Sequence, residues 1–298
     1  MAAQDRIALL SAVLATVVLG GPAQAALLGR APLTSGGTDY QAYYDNALNI
    51  TWTADANLAA TESFGLPRNA IYPDVNGNNS IDTGELGPQG EMNWYTAFIW
   101  TDAMNSAAYL GQTGWRLPTI RPVNGVSFNS LDSQVGETDN GRNISAAGTL
   151  YAGSTAHEMA NLFYNTLGNV AGYYPAGLGG QCLTFPVNGG VQIIPSCFQN
   201  PGPFANLLQT FYWEGLAWSE TDAWIFHWRE GYQGIWWKNS AAMDAPVPPD
   251  TNYYVHAWAV IDGDPLAVVP VPSALWLFGS ALGVMGWMRR KVIELQVE

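Results

Sequence analysis

The sequence predicts an α+β domain in which two helices precede a set of small antiparallel sheets. Apolar residues recur with a helical period over residues 92–110 and again over residues 157–169. Farther along the chain, aromatic and β-branched runs alternate with Gly, Asn and Pro, a pattern typical of short strands. About 240 residues lie between two terminal segments of different character, enough for one core. We therefore expect a single domain over residues 26–268.

The N-terminal segment has the layout of a secretory signal peptide. Arg6 is followed by an apolar stretch over residues 7–19 and by the small-residue pattern Ala23-Gln24-Ala25. These three parts predict export, with cleavage after Ala25 and removal of residues 1–25.

Residues 74–85, DVNGNNSIDTGE, match the loop of an EF-hand calcium site. Asn79 replaces the usual glycine at position 6, and Asn is among the few other residues that tolerate a positive φ. Pro73 leaves no helix before the loop, so we expect an isolated site of weak affinity, about 10⁻⁴ to 10⁻³ M. The alternative is a polar turn that binds nothing. The predicted ligands for Ca²⁺ are Asp74, Asn76, Asn78, the Ser80 carbonyl, Asp82 and Glu85.

Each predicted helix has its own markers. The first has an apolar stripe, and the second begins with a capping-box pair, Thr155 and Glu158, and ends at Gly168. Its apolar face contains Met159, Leu162 and Phe163. The stripe of the first helix consists of Trp94, Ala97, Phe98, Thr101, Met104 and Ala108.

The chain's two cysteines, Cys182 and Cys197, lie in one loop-like stretch. Oxidising surroundings outside the cell favour a disulfide there, worth about 3 kcal/mol in the chain-entropy estimate. Two free thiols are the alternative.

The C-terminal third is rich in tryptophan and predicts short strands at residues 223–228, 234–238 and 252–263. Strand alternation puts Trp224 and Phe226 on one face, and Ile225 and His227 on the other. Some of these rings must form the core, whereas an exposed pair would make a platform on which sugars stack. The candidates for stacking are Trp224, Trp228, Trp236 and Trp237.

The C-terminus combines spaced prolines, an apolar run and a basic cluster. Residues 271–288 carry no charge and are just long enough to cross a bilayer core of about 30 Å. The basic cluster after them predicts a cytoplasmic tail and an external body, by the positive-inside rule. The motif consists of Val269, Pro270, Val271 and Pro272, and the cluster of Arg289, Arg290 and Lys291.

This layout over residues 269–298 resembles the PEP-CTERM sorting signal of Gram-negative bacteria. The resemblance implies that an exosortase-type enzyme cuts near the prolines and that the product reaches the cell envelope or an exopolysaccharide matrix. Val271 stands where the motif usually has Glu. A permanent membrane anchor is the alternative.

The charge balance excludes one class of partner. The formal net charge is −13, whereas a protein that binds nucleic acid or an anionic membrane surface needs the opposite sign.

Arg116, in the segment GWRLPT, is expected to form a structural ion pair rather than to clamp a ligand.

The motifs for an enzyme are weak. His157-Glu158 is not followed by His at Asn161, so the zinc-protease pattern fails, and no glycine-rich phosphate loop is present. An enzyme acting on glycans would need two carboxylates about 5 to 10 Å apart in a cleft. The dense acidic set that could provide them consists of Glu214, Glu220, Asp222 and Glu230.

Several blocks resemble, in order, those of the DUF1566 family, also called the Lcl C-terminal domain. The resemblance implies a C-type-lectin-like fold related to the formylglycine-generating enzyme and a place at the cell surface, but little chemistry. We therefore expect a surface or matrix protein that binds a polysaccharide or another protein and catalyses no reaction, rather than an enzyme that acts on glycans. One named member of the family binds sulfated polysaccharides. The glycan-binding tripeptides of calcium-dependent lectins are not present, so their sugar site does not carry over. The blocks cover residues 50–59, 92–100, 114–119, 157–169, 211–228 and 253–264.

Overall fold

The computed structural model describes residues 26–68, 83–170, 197–240, 242–243 and 253–267. Four predicted features lie outside these residues: the signal peptide, the calcium ligands from Asp74 to Asp82, Cys182, and the sorting segment over residues 269–298. Within the described part of the chain, no helix has the length and apolar character needed to cross a membrane.

The described residues form an α+β fold, which confirms the predicted class. The helices are α1 (Trp94–Ser106) and α2 (Glu158–Asn161), and one π-helical turn, Leu162–Thr166, continues α2. The strands are β1 (Leu27–Pro32), β2 (Tyr40–Asp45), β3 (Ile50–Thr53), β4 (Asp132–Ser133), β5 (Asn140–Arg142), β6 (Phe211–Ala217), β7 (Asp222–His227), β8 (Tyr232–Trp237), β9 (Ala242–Met243), β10 (Tyr253–His256) and β11 (Val260–Asp262).

The smaller sheet joins the beginning of the domain to its end. Its strand order is β1-β2-β3-β11, and all neighbouring pairs are antiparallel. Trp52 on β3 lies opposite Tyr43 on β2 and opposite Val260 on β11. This sheet therefore closes the domain by pairing its last strand with its third.

The larger sheet has the order β4-β5-β8-β7-β6-β10-β9. Strands β6, β7 and β8 form an antiparallel meander, as predicted. Two pairs, β10 with β6 and β4 with β5, are parallel, so this sheet is mixed, whereas the sequence predicts antiparallel sheets. Only strands joined by a tight hairpin must run in opposite directions, and no hairpin connects β10 to β6.

The first helix begins where Asn93 caps it. The Asn93 side chain accepts a hydrogen bond from the Thr96 amide at 2.9 Å, which satisfies one of the free donors of the first turn. The helix ends at Ser106, since Ala108 and Leu110 have positive φ angles. The predicted helix is confirmed, but it is shorter than residues 92–110.

The second helix begins differently from the prediction. It starts at Glu158 after His157, and no side chain caps it. The capping-box pair of Thr155 and Glu158 is wrong, because the Glu158 carboxylate accepts hydrogen bonds from Arg116 and from the Thr119 amide instead. The predicted end is confirmed, with Gly168 at a φ of +68° just beyond the π-helical turn.

The two faces of the larger sheet support separate clusters of apolar side chains. Trp100 and Met104 of α1 pack with Ile225 in one cluster, whereas Phe163 packs with Phe226 in the other. Adjacent residues of β7 thus point to opposite faces, as strand alternation predicts. The meander is therefore held between the two helical segments.

Trp258 lies at the centre of the second cluster. Its ring packs against Trp52 at a centroid distance of 4.6 Å and against Phe204 at 4.7 Å. Its indole N–H donates to the Thr53 carbonyl at 3.0 Å. The ring therefore joins the smaller sheet to the core beneath the larger one.

We expect Trp258→Ala to lower the free energy of unfolding by about 3 to 5 kcal/mol, because the substitution leaves a large cavity and an unpaired carbonyl. Chemical denaturation measures the change. Leu131→Ala is the control, since that side chain is 72% exposed and its truncation should change stability by less than about 0.5 kcal/mol. Equal losses in the two variants would contradict the central role of Trp258.

Candidate functional site

Three strands of the meander bring two exposed tryptophans to one end of the larger sheet. The Trp218 amide donates to the Asp222 carbonyl at 2.9 Å, just after β6. Asp222 lies opposite Trp237 in the register of β7 and β8. Trp218, Asp222 and Trp237 therefore form one row across the sheet, and the two tryptophans are about 10 Å apart along it, the width of two strand spacings.

Neighbouring rings support both of these indoles. Trp237 is 63% exposed and stacks on half-buried Trp236, with ring centroids 5.8 Å apart and planes 26° apart. Trp218 is 39% exposed, and its ring meets buried Trp224 edge to face at 5.3 Å. We call Trp218, Trp236 and Trp237 the tryptophan patch. The two exposed rings have defined positions, because each packs against a more buried tryptophan ring.

The structure corrects the assignment of stacking residues. Trp224 and Trp228 are both fully buried, so neither offers a face to a sugar. Trp224 packs against Phe128, and Trp228 lies between Phe163 and Trp258. Both are at positions of the meander that face the core, which alternation within one strand cannot distinguish from a solvent-facing position.

Trp218 was not among the predicted stacking residues, although it is exposed. The signal in the sequence was the polar run Ser219-Glu220-Thr221 that follows it, which indicates a hairpin turn. A residue at the start of such a turn lies beyond the packed part of the sheet.

The turn beside the patch is ordered by its own polar side chains. The hydroxyls of Ser219 and Thr221 donate to Oδ2 of Asp222 at 2.7 and 2.8 Å. Glu220 at the tip of the turn is exposed, and Asp222 is half-buried. The patch thus has two carboxylates beside it.

One cation lies under the same turn. Lys238 is 6% exposed, and its ammonium donates to the carbonyls of Ser219 at 2.5 Å and Glu220 at 3.1 Å. The same ammonium is 4.7 Å from the centroid of the Trp94 ring, a distance typical of a cation–π contact. Its charge is therefore used inside the domain to hold the turn.

The four acids proposed for a glycan-acting enzyme have different surroundings. Glu230 forms an ion pair with Arg142 beyond the far end of β7. Asp222 begins that strand, so about 17 Å of strand separates these two acids, more than a catalytic pair allows. Glu220 is exposed at the turn, and Glu214 is fully buried within β6.

Glu214 is the most unusual carboxyl group in the described part of the chain. Both of its oxygens are buried there without a hydrogen-bond partner. Burial raises the pKa of Glu214 well above its ordinary value, the negative charge of Glu158 raises it further, and Arg116 partly opposes the shift. The group is therefore held in its neutral form at pH values where exposed carboxylates are charged.

Arg116 forms the structural ion pair that the sequence predicts. Its Nη1 and Nη2 donate to the two carboxylate oxygens of Glu158 at 2.9 and 2.8 Å, and its Nε donates to Asp262 at 3.1 Å. All of its charge-bearing atoms face carboxylates of the same domain, so a ligand would have to displace one of them.

The structure describes only part of the other predicted sites. Of the six calcium ligands, it describes Glu85 alone, which is half-buried, and the described residues contain no group of three His, Cys, Asp or Glu side chains placed to hold a metal. Cys197 is buried and disulfide-bonded, whereas its predicted partner Cys182 lies outside the described residues.

Comparison with known proteins adds no further assignment. No protein-family model matches the chain, and no curated protein or solved structure matches it.

The buried carboxyl group predicts a pH-dependent stability. Because the pKa of Glu214 is higher in the folded than in the unfolded protein, its favourable contribution is complete below the unfolded value and is lost as pH rises through the folded value. We expect Glu214→Gln, which keeps the shape of the neutral group, to have little effect near pH 4 and to stabilise the protein at pH 7.

Denaturant unfolding at both pH values measures this difference. Glu220→Gln is the control, because it removes a carboxylate that is exposed to solvent. If Glu214→Gln and Glu220→Gln change the pH dependence equally, Glu214 is not the group responsible.

Proposed function

We propose that this chain is an exported surface or matrix protein whose domain binds a polysaccharide and catalyses no reaction. The observation that carries the proposal is the pair of exposed, supported indoles, Trp218 and Trp237, at one end of the larger sheet. The predicted signal peptide and sorting segment supply the route, in which an exosortase-type enzyme processes the membrane-inserted tail and releases the body to the cell envelope or extracellular matrix of a Gram-negative bacterium.

The tryptophan patch suits a sugar ring. A hexose has an apolar face of C–H groups that stacks on an indole and a rim of hydroxyls that need polar partners. The hydroxyl and carboxylate groups of Ser219, Glu220 and Asp222 lie beside the patch and provide such partners. The spacing of about 10 Å along the row suits successive rings of one chain better than a single small sugar.

The placement of the acids supports a binding role over a hydrolytic one. Hydrolysis of a glycosidic bond needs two carboxyl groups that both reach the substrate across a cleft. Glu214 has no access to solvent, and Glu230 is occupied by Arg142 at the far end of the meander. Only Glu220 and Asp222 remain near the patch, and they share one turn rather than facing each other.

We further propose that the domain has the C-type-lectin-like fold of the DUF1566 family. Two helical segments on opposite faces of a small aromatic sheet support this assignment, as does the pairing of the last strand with β3 near the beginning of the domain. The six sequence blocks that carry the resemblance include the first half of α1, the whole of α2, the β6–β7 hairpin and β11.

We expect Trp237→Ala to weaken polysaccharide binding by roughly 10- to 100-fold, because it removes the most exposed ring of the patch. A glycan array with the full-length protein identifies the ligand, and titration calorimetry gives the affinities. Trp218→Ala should weaken binding by a smaller factor, since that ring is less exposed.

Leu131→Ala is the matched control, because it truncates an exposed apolar side chain in the β4 region. The proposal fails if Trp237→Ala binds as tightly as the unaltered protein, or if the folded protein binds no glycan on the array. In the second case, a protein partner becomes the better explanation of the patch.

The calcium loop is a separate proposal that rests on the sequence. Its C-terminal end is attached to α1, since the Gly84 amide donates to the Thr96 hydroxyl at 2.8 Å. Glu85, the predicted bidentate ligand, directly follows this contact.

We expect calcium at about 10 mM to raise the melting temperature by mass action, because that concentration exceeds the expected dissociation constant. Asp74→Ala and Glu85→Ala should each abolish the shift, and magnesium at the same concentration is the control. Absence of both heat and thermal shift would mean that the segment is only a turn.

A further inference from the structure

Two carboxylates of the described residues lie beside the tryptophan patch. Glu220 is exposed at the tip of the turn, and Asp222 is in the row between Trp218 and Trp237. Oδ2 of Asp222 accepts both hydroxyl hydrogen bonds of the turn, and in the described part of the chain Oδ1 accepts none. One carboxylate oxygen between the indoles is thus available to a ligand.

The lysine beside the patch does not neutralise this surface. The Lys238 ammonium lies beneath the turn, where two backbone carbonyls and the face of Trp94 surround it. With 6% of its surface exposed, Lys238 cannot reach an anionic group on a ligand in solution. An anionic polysaccharide would therefore meet two carboxylates that Lys238 does not compensate.

A protonated amine on a ligand would instead be attracted by both the carboxylates and the rings of this surface. It pairs with a carboxylate, and it is attracted to the face of an indole within about 6 Å of the ring centroid. The net charge of −13 adds a long-range attraction for a polycation. We propose that the tryptophan patch selects a polysaccharide with free amino groups, whose rings stack on Trp218 and Trp237 while an ammonium group binds Asp222 and Glu220. This inference rests on the proposed function and specifies its ligand.

The test compares three oligosaccharides of equal length and the same β-1,4 linkage: glucosamine, N-acetylglucosamine and glucose oligomers. Titration calorimetry with the full-length protein at about pH 5 keeps the sugar amines protonated. We expect the glucosamine oligomer to bind roughly tenfold more tightly than the other two, from the added ionic and cation–π contacts. Salt at about 0.5 M should reduce this preference, since it screens exposed charges.

Substitutions separate the specific site from general attraction between opposite charges. Asp222→Asn with Glu220→Gln should remove the preference for the amine, so that the glucosamine and glucose oligomers bind this variant with equal affinity. Glu137→Gln is the matched control, because Glu137 is an exposed carboxylate far from the patch. It lies in the loop between β4 and β5, and β5 pairs with the start of β8, whereas Trp237 is at the end of β8. The control variant should retain the full preference.

Four results would overturn the inference. Equal affinity for the three oligomers, or tighter binding of an oligogalacturonate, would leave the proposed function in place but exclude selection of amines. A preference for the amine that survives Trp218→Ala with Trp237→Ala would reduce it to non-specific attraction. Binding of none of the oligomers, nor of any glycan on the array, would exclude the proposed function as well.

Discussion

The ion pair between Arg116 and Glu158 is the interaction on which the arrangement of the elements depends. Arg116 exchanges backbone hydrogen bonds with Val260, at 2.8 Å in both directions, and so belongs to the edge of the smaller sheet. Its guanidinium binds Glu158 at the start of α2, and the Glu158 carboxylate in turn accepts from the Thr119 amide. Two residues beyond Arg116, the Pro118 carbonyl accepts from Gly215 of β6. A single short segment thus joins both sheets and the second helix.

This ion pair is partly buried, and the charge state of nearby Glu214 affects it. Glu158 is 10% exposed and Arg116 29% exposed in their side chains, so both ions are partly removed from water. Such a pair contributes to stability only when its hydrogen bonds are complete, and the Thr119 amide and Asp262 complete them here. Glu214 in its charged form would add a further negative charge close to the pair. Keeping Glu214 neutral therefore preserves the charge balance around Arg116.

Local patterns in the sequence predicted the features that depend on neighbouring residues, such as helix position, helix ends and the faces of a strand. The apolar stripe found α1, Gly168 marked the end of the second helix, and alternation assigned Phe226 and Ile225 to opposite faces. The capping box failed because tertiary ion pairing competes with capping for the same side chain, and Glu158 is bound by Arg116. The sequence of the helix segment alone cannot predict this competition, because Arg116 lies far from Glu158 along the chain.

The tryptophans show the same limit at the candidate site. Trp224 and Trp237 occur in similar aromatic runs, yet one is fully buried and the other is the most exposed tryptophan of the patch. The difference arises because β7 is paired on both sides, whereas β8 is paired with β5 only through Gln233 and Tyr232. Within the described part of the chain, the last residues of β8 therefore lie at an edge. Strand order is a property of the whole fold and cannot be read from one strand.

Lys238 explains how the sheet remains stable with an exposed indole at this edge. An unpaired strand edge with apolar side chains is prone to associate with other strands, and natural sheets protect such edges with charges and close them with turns. Here Lys238 follows Trp237 directly, donates its amide to Thr221, and anchors the neighbouring turn through its ammonium. Because the lysine holds this edge, the charged groups that the described residues place beside the exposed rings are carboxylates. The constraint that stabilises the end of the sheet is therefore also what determines the charge that a ligand meets there.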